Sequence, residues 1–191
     1  MGKKIAIDTY YYKDRAKTVG VIFENWEDSE PLKIVSTWSS SFGPYIPGEF
    51  FKRELPCIMD LIQKEVPDIK DYDCIILDGL ARLPGSSSEG LGLHLESELE
   101  KTFPGFRIDQ DPTVIGGPAI MGVAKTKFKG VEEDNGTCKV LRGEAKNPLY
   151  TNTTWMKMSS SDAAECLKKM QGQYRIPTLL KILDKETKND I

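Results

Sequence analysis

The chain has 191 residues, 39% hydrophobic and 29% charged, with a formal charge of −3, enough to bury one good core as a single domain spanning residues 1–191. A pI near 5.4 advertises no general affinity for nucleic acid, so any such binding must come from a local basic patch or from bridging metal ions. No N-terminal run is long or apolar enough for a signal peptide or a membrane span, which predicts a cytoplasmic protein without a membrane partner.

Residues 5–10, 18–24 and 32–38 read as three strands, rich in β-branched and aromatic residues and broken by Lys13-Asp14-Arg15 and by Asn25–Ser29. Their short connections predict an antiparallel meander. A loop by composition, Ser39–Pro44, leads through Tyr45-Ile46-Pro47-Gly48 into a helix whose Phe51, Leu55, Ile58, Ile62 and Val66 recur at helical spacing. Glu54 lies beside that face, and Pro56 is expected to kink the helix. Residues 72–77 read as a buried strand, with Asp78-Gly79 at the end where open α/β sheets place their ligands. Pro84–Ser88 reads as a mobile loop before a helix around Leu91–Leu99. Pro118–Lys125 is an apolar run ending in a charge, Cys138–Leu141 starts a late hairpin, and residues 160–170 form a helix capped by Ser159 or Ser160. From Lys185 the tail is polar and expected to fray. Cys57, Cys74, Cys138 and Cys166 are widely spaced, show no CxxC pair and read as reduced thiols.

Three acidic residues stand where apolar sequence meets polar: Asp8 after Ile5-Ala6-Ile7, Glu54 in the helix, and Asp78 closing Cys74–Leu77. A carboxylate beside buried surface is costly unless its charge is compensated, and a divalent cation shared by several does so. Each acid alone would read as a helix cap or half of a surface ion pair. Lys125 either snorkels to solvent or faces a ligand. His94, between Leu93 and Leu95, reads as a structural histidine, and Arg53 as a partner of a carboxylate or a phosphate. The order of elements, a meander and a helix followed by strands alternating with helices, is that of an α/β ribonuclease-H-like fold with a mixed central sheet and flanking helices.

Four motifs together resemble the endonuclease V family, metal-dependent nucleases acting on deaminated purines. Ile5–Tyr10 looks like that family's first-strand Val-Asp-x-Ser-Tyr. Pro44-Tyr45-Ile46-Pro47-Gly48 with Arg53-Glu54-Leu55-Pro56 is similar to its Tyr-Val-Pro-Gly and Arg-Glu-Leu-Pro signature. Ile76-Leu77-Asp78-Gly79 matches Val-Asp-Gly, Met121–Lys125 matches Ile-Gly-Val-Ala-Lys, and Tyr174–Pro177 echoes Tyr-Arg-Leu-Pro.

The resemblance implies that Asp8, Glu54 and Asp78 hold Mg²⁺, with Mn²⁺ as an alternative, and that Lys125 joins them in catalysis by neutralising charge on the phosphate. It also implies that Tyr45, Ile46 and Pro47 wedge the strands apart while Gly48 and Gly79 let backbone approach the substrate. The reaction implied is hydrolysis of the second phosphodiester 3′ to inosine in DNA or RNA, by a monomer. Two family histidines have no counterpart: Leu80–Ser88 replaces a Gly-x-x-His-Pro-Arg segment, unless Arg82 substitutes in part, and Thr151–Met156 replaces a Ser-x-Gly-His-Arg segment. That loss motivates an alternative, a catalytically impaired protein binding nucleic acid or a partner on the same fold.

Overall fold

The opening meander forms as its pattern predicts. β1 (Lys4–Tyr11), β2 (Ala16–Phe23) and β3 (Lys33–Ser39) pair antiparallel through short connections. The computed structural model describes residues 2–40, 42–44, 46, 49–83, 90–106, 116–127, 136–154 and 157–190. β1 is buried from Lys4 to Ile7 and first meets solvent at Asp8.

β4 (Cys74–Asp78) lies parallel to β1, and β5 (Ala119–Ala124) parallel to β4. Then β6 (Cys138–Val140) and β7 (Leu149–Thr153) form the late hairpin, β7 running antiparallel to β5. The result is one mixed seven-stranded sheet in the order β3-β2-β1-β4-β5-β7-β6. Alternation along the strands divides the core between its two faces. One face packs Ile5, Ile7 and Ile75 against α1 (Phe51–Glu65) and α2 (Leu91–Thr102). The other packs Val19, Val21 and Ile76 against α3 (Ser160–Lys169) and α4 (Thr178–Thr187).

Several local expectations resolve in physical detail. Ser159 is the cap of α3, and its side chain and that of Asp162 bond each other's backbone amides as a capping box. Pro56 sits in the second turn of α1, and the helix is continuous through it. Pro56 forgoes one hydrogen bond, to the carbonyl of Lys52, and the helix continues beyond it to Glu65. The four cysteines are free thiols, Cys57 and Cys74 fully buried. No described helix is long and apolar enough to cross a membrane.

The tail departs from expectation. Rather than fraying from Lys185, α4 runs to a fully buried Thr187, and the residues after it are held by the β1–β2 hairpin. The Tyr12 hydroxyl donates to the Thr187 carbonyl at 3.1 Å, Lys17 Nζ to the Asn189 carbonyl at 2.7 Å, and Arg15 pairs with Asp190 at 2.5 Å. A polar segment stays ordered here because the hairpin supplies a donor for each of these acceptors. β7 and α4 are elements that the sequence pattern did not announce.

Gly122 in β5 faces the backbone of residues 79–81 so closely that a Cβ would lie 2.2 Å from the Gly79 carbonyl oxygen and from the Ala81 nitrogen. Backbone cannot swing aside as a side chain can. Gly122→Ala is therefore expected to cost about 3 kcal/mol, at the upper end for overpacking, read from urea unfolding midpoints. A midpoint equal to that of the parent would contradict this packing.

Candidate active site

Registry brings the acids together. β1 and β4 are parallel, with Ile7 opposite Leu77, so the next residues, Asp8 and Asp78, emerge side by side where the pairing ends. β4 and β5 pair Asp78 with Val123, and Lys125, two residues further, returns to the same face. α4 crosses above and adds Asp184. Lys125 Nζ lies 3.0 Å from Asp78 Oδ2 and 3.7 Å from Asp184 Oδ1, bridging sheet and helix. These four side chains line one cleft, floored by apolar residues such as Ile76 and Leu180.

Glu54 comes from the opposite face, in the first turn of α1, where a carboxylate suits the helix dipole. It is only 3% exposed, and its Oε2 has no hydrogen-bond partner. Burial, then the charges of Asp8 and Asp78, push its pKa well above the ordinary glutamate value, with Arg53 opposing. Burial and Asp78 likewise raise Asp8 to about 6, although the Thr9 amide donates to its Oδ1 at 2.7 Å. For Lys125, burial disfavours the ammonium, but Asp78 and Asp184 outweigh it and hold the pKa above the usual lysine value.

The structure thus brings Asp8, Asp78 and Lys125 into one cleft and places Glu54 within electrostatic reach of both aspartates. Gly79 follows with φ of +119°, a conformation that favours glycine, and its amide donates to the Val123 carbonyl at 2.9 Å. Ile46 is 42% exposed; Tyr45, Pro47 and Gly48 lie outside the described residues, as do Ser86, Ser87 and Ser88. His94 is not in the cleft; its ring stacks on Phe51, centroids 3.6 Å apart, between α1 and α2. Arg53 lies 3.6 Å over the Tyr11 ring. Arg82 Nε donates to the Thr153 carbonyl at 2.5 Å, which directs it into the end of β7.

Asp184 is the cleft residue that the sequence reading missed. Its signal was available: Leu179 and Leu183, four apart and buried, mark a helix after Pro177, and Asp184 adjoins the second of them. Two arginines set that helix in place. Arg142, buried, donates to the carbonyls of Met170, Gly172, Tyr174 and Arg175, and Arg175 donates to those of Lys125 and Pro148. The turn before α4 and the backbone of Lys125 are thereby tied together.

Four carboxylates supply the hard oxygen donors that Mg²⁺ and Mn²⁺ take. The unpartnered Glu54 oxygen and the raised pKa values of Asp8 and Glu54 are costs that a cation would relieve. In kind, the residues fit such an ion. In placement, no group of three or more His, Cys, Asp or Glu among the described residues is gathered closely enough to hold one. Lys125 provides the countercharge instead.

No protein-family model and no curated protein matches the sequence. Solved structures do. Endonuclease V of Ciona intestinalis, in complex with a 24mer DNA containing an inosine followed by a ribo-adenosine, is similar with a TM-score of 0.71 at 17% identity over 99% of this chain and 85% of that one. The catalytic domain of human endonuclease V gives 0.71 at 17% over 98% and 81%, and endonuclease V of Streptomyces avermitilis 0.67 at 19% over 98% and 80%. The shared property is the ribonuclease-H-like fold.

Burial and the neighbouring Asp78 push the Asp8 carboxyl up from an ordinary 3.8 to about 6, so the folded state binds its proton more tightly. Its ionisation opposes folding above pH 6, and the penalty fades as pH falls towards 4. In EDTA, Asp8→Asn is expected to raise stability at pH 7.5 by roughly 3 kcal/mol, with most of the gain gone by pH 4. Denaturant midpoints across that range check it, and a gain independent of pH would contradict it.

Proposed function

We propose that the protein is a divalent-cation-dependent endonuclease that hydrolyses DNA or RNA next to deaminated purine, cutting the second phosphodiester 3′ to inosine, and that residues 1–191 act as one monomeric unit. The observation that carries the reading is the row of Asp8, Asp78 and Lys125 on three adjacent strand ends, with Asp184 above and the unpartnered Glu54 oxygen behind. The same fold in a structure holding inosine-containing DNA supports the choice of substrate.

Asp8, Glu54, Asp78 and Asp184 would hold Mg²⁺ or Mn²⁺. What such an ion supplies is charge neutralisation at the scissile phosphate and a more acidic water. Lys125, paired with Asp78 in the free protein, then has the phosphate as an alternative anion. Gly79, at the end of β4, leaves open space where a side chain would stand, so backbone can come close to the strand. Ile46, with Tyr45, Pro47 and Gly48, would help separate the strands beside the lesion.

One observation favours a second reading. Lys125 already balances Asp78 and Asp184, and the acids are not gathered into a ready shell, an arrangement also suited to a protein that binds nucleic acid without cutting it. Incubation with single-stranded and duplex oligonucleotides carrying one inosine, in Mg²⁺ and in Mn²⁺, separates the two. We expect a nick 3′ to inosine, reduced by about 100-fold or more in Asp8→Ala, Glu54→Ala and Asp78→Ala, each alone costing nearly as much as the three combined because they serve one ion. Binding without product under either metal would establish the second reading. A complementary check is thermal: Mg²⁺ should raise the melting temperature of the parent, and Asp78→Asn should abolish the rise.

A further inference from the structure

Beyond the cleft, β1 continues outward carrying an aromatic row. Side chains alternate along a strand, so Asp8 and Tyr10 share one face, and Tyr12, just past the end of β1, sets its ring against that of Tyr10. Registry aligns Tyr10 with Lys17 and Lys17 with Trp38, which sets a row across three strands. Tyr10 and Trp38 are 39% and 38% exposed. The rings touch in sequence: Tyr10 and Tyr12 edge to face with centroids 4.9 Å apart, Tyr12 and Trp38 at 5.5 Å. Arg15 lies 4.2 Å over Trp38, and Lys17 Nζ is 5.5 Å from the same ring.

We propose that Tyr10, Tyr12 and Trp38, together with the exposed Arg15, form a stacking platform for single-stranded nucleic acid flanking the carboxylate cleft, with Lys17 buried beneath it and bonded to the Asn189 carbonyl. The inference rests on the nucleic-acid reading of that cleft and adds to it a place for the neighbouring nucleotides. Exposed rings beside an exposed guanidinium suit an unpaired strand: every base has a π-face to stack and every linkage an anion to pair. Paired bases offer their faces to each other, so the surface favours a single strand over a duplex. At a rise of about 3.3 Å per residue, Tyr10 lies ~7 Å along β1 from Asp8, which corresponds to about two stacked nucleotides from the cleft.

The residues after α4 lie at the cationic end of this row. Asp190 pairs with Arg15, and the Asn189 carbonyl accepts from Lys17. A carboxylate on Arg15 sits where a phosphate would, so the strand competes with the protein's own Asp190. Removing that carboxylate leaves Arg15 free for the strand.

The test is fluorescence anisotropy in EDTA with labelled single-stranded DNA bearing a central inosine, as a 20-mer and as a 5-mer. The parent should bind the 20-mer more tightly than the 5-mer. Tyr10→Ala and Trp38→Ala should each weaken 20-mer binding roughly tenfold, within the range for loss of one stacking partner, and erase the length dependence; Trp38→Phe should restore most of it. Asp190→Ala should tighten binding roughly threefold, a surface ion pair's worth. Circular dichroism melts certify that each variant is folded. Folded Tyr10→Ala and Trp38→Ala that bind as the parent does would overturn the platform, as would a parent that binds no single strand. Cutting at inosine is scored separately: a parent that cuts while these variants bind normally keeps the nuclease and loses the platform. Trp38-dependent binding by a parent that never cuts does the reverse.

Discussion

The constraint on which the site depends is the juxtaposition of like charges at the ends of two parallel strands. Because Ile7 pairs with Leu77, Asp8 and Asp78 have to emerge together, each closing the buried stretch behind it. Two carboxylates side by side at the margin of a core are unfavourable without countercharge. The molecule answers locally with Lys125, carried to the same level by β5, and the answer is incomplete, since Asp8 and Glu54 still resist ionisation.

The rest of the architecture can be seen as support for that row. α1 brings Glu54 from one face of the sheet and α4 brings Asp184 from the other, so the cleft draws on both layers of the fold. Arg142 and Arg175 fix the turn into α4 through backbone carbonyls, an interaction that depends little on which side chains surround it. Asn152 performs a similar service opposite. Its side-chain oxygen accepts from the amides of Ala81 and Arg82 at 2.8 and 3.3 Å, and its amide donates to the Arg82 carbonyl at 2.9 Å, which anchors the strand exit just after Gly79.

What the sequence disclosed and what it hid follow from the same physics. β1, β4 and β5 carry runs of branched apolar residues that only a buried strand accounts for, and the acids that end the first two were visible as breaks in those runs. β7 was not visible because Thr151, Asn152 and Thr153 are polar yet fully buried: Thr151 donates to the Gly122 carbonyl at 2.7 Å and Asn152 clamps residues 81 and 82. Hydrophobic periodicity cannot report a strand whose burial is satisfied by hydrogen bonds. The residues after α4 were misread for a related reason, since the donors that order them come from Tyr12, Arg15 and Lys17, far away in the chain. Asp184 was passed over with them. Composition describes a segment, whereas order here depends on a partner elsewhere.

The position of α4 also bears on how the protein loses function under stress. The helix buries Leu179, Leu183 and Thr187, packs Leu180 and Ile182 at the margin of the core, carries Asp184 and is joined to the hairpin through the Arg15–Asp190 ion pair. Elements near the end of a chain commonly open at a fraction of the free energy needed to unfold the whole. Opening of α4 would unseat a carboxylate of the cleft and bare the hairpin in one motion, and an unfolding curve followed by bulk secondary structure would then overstate the range over which the cleft is whole.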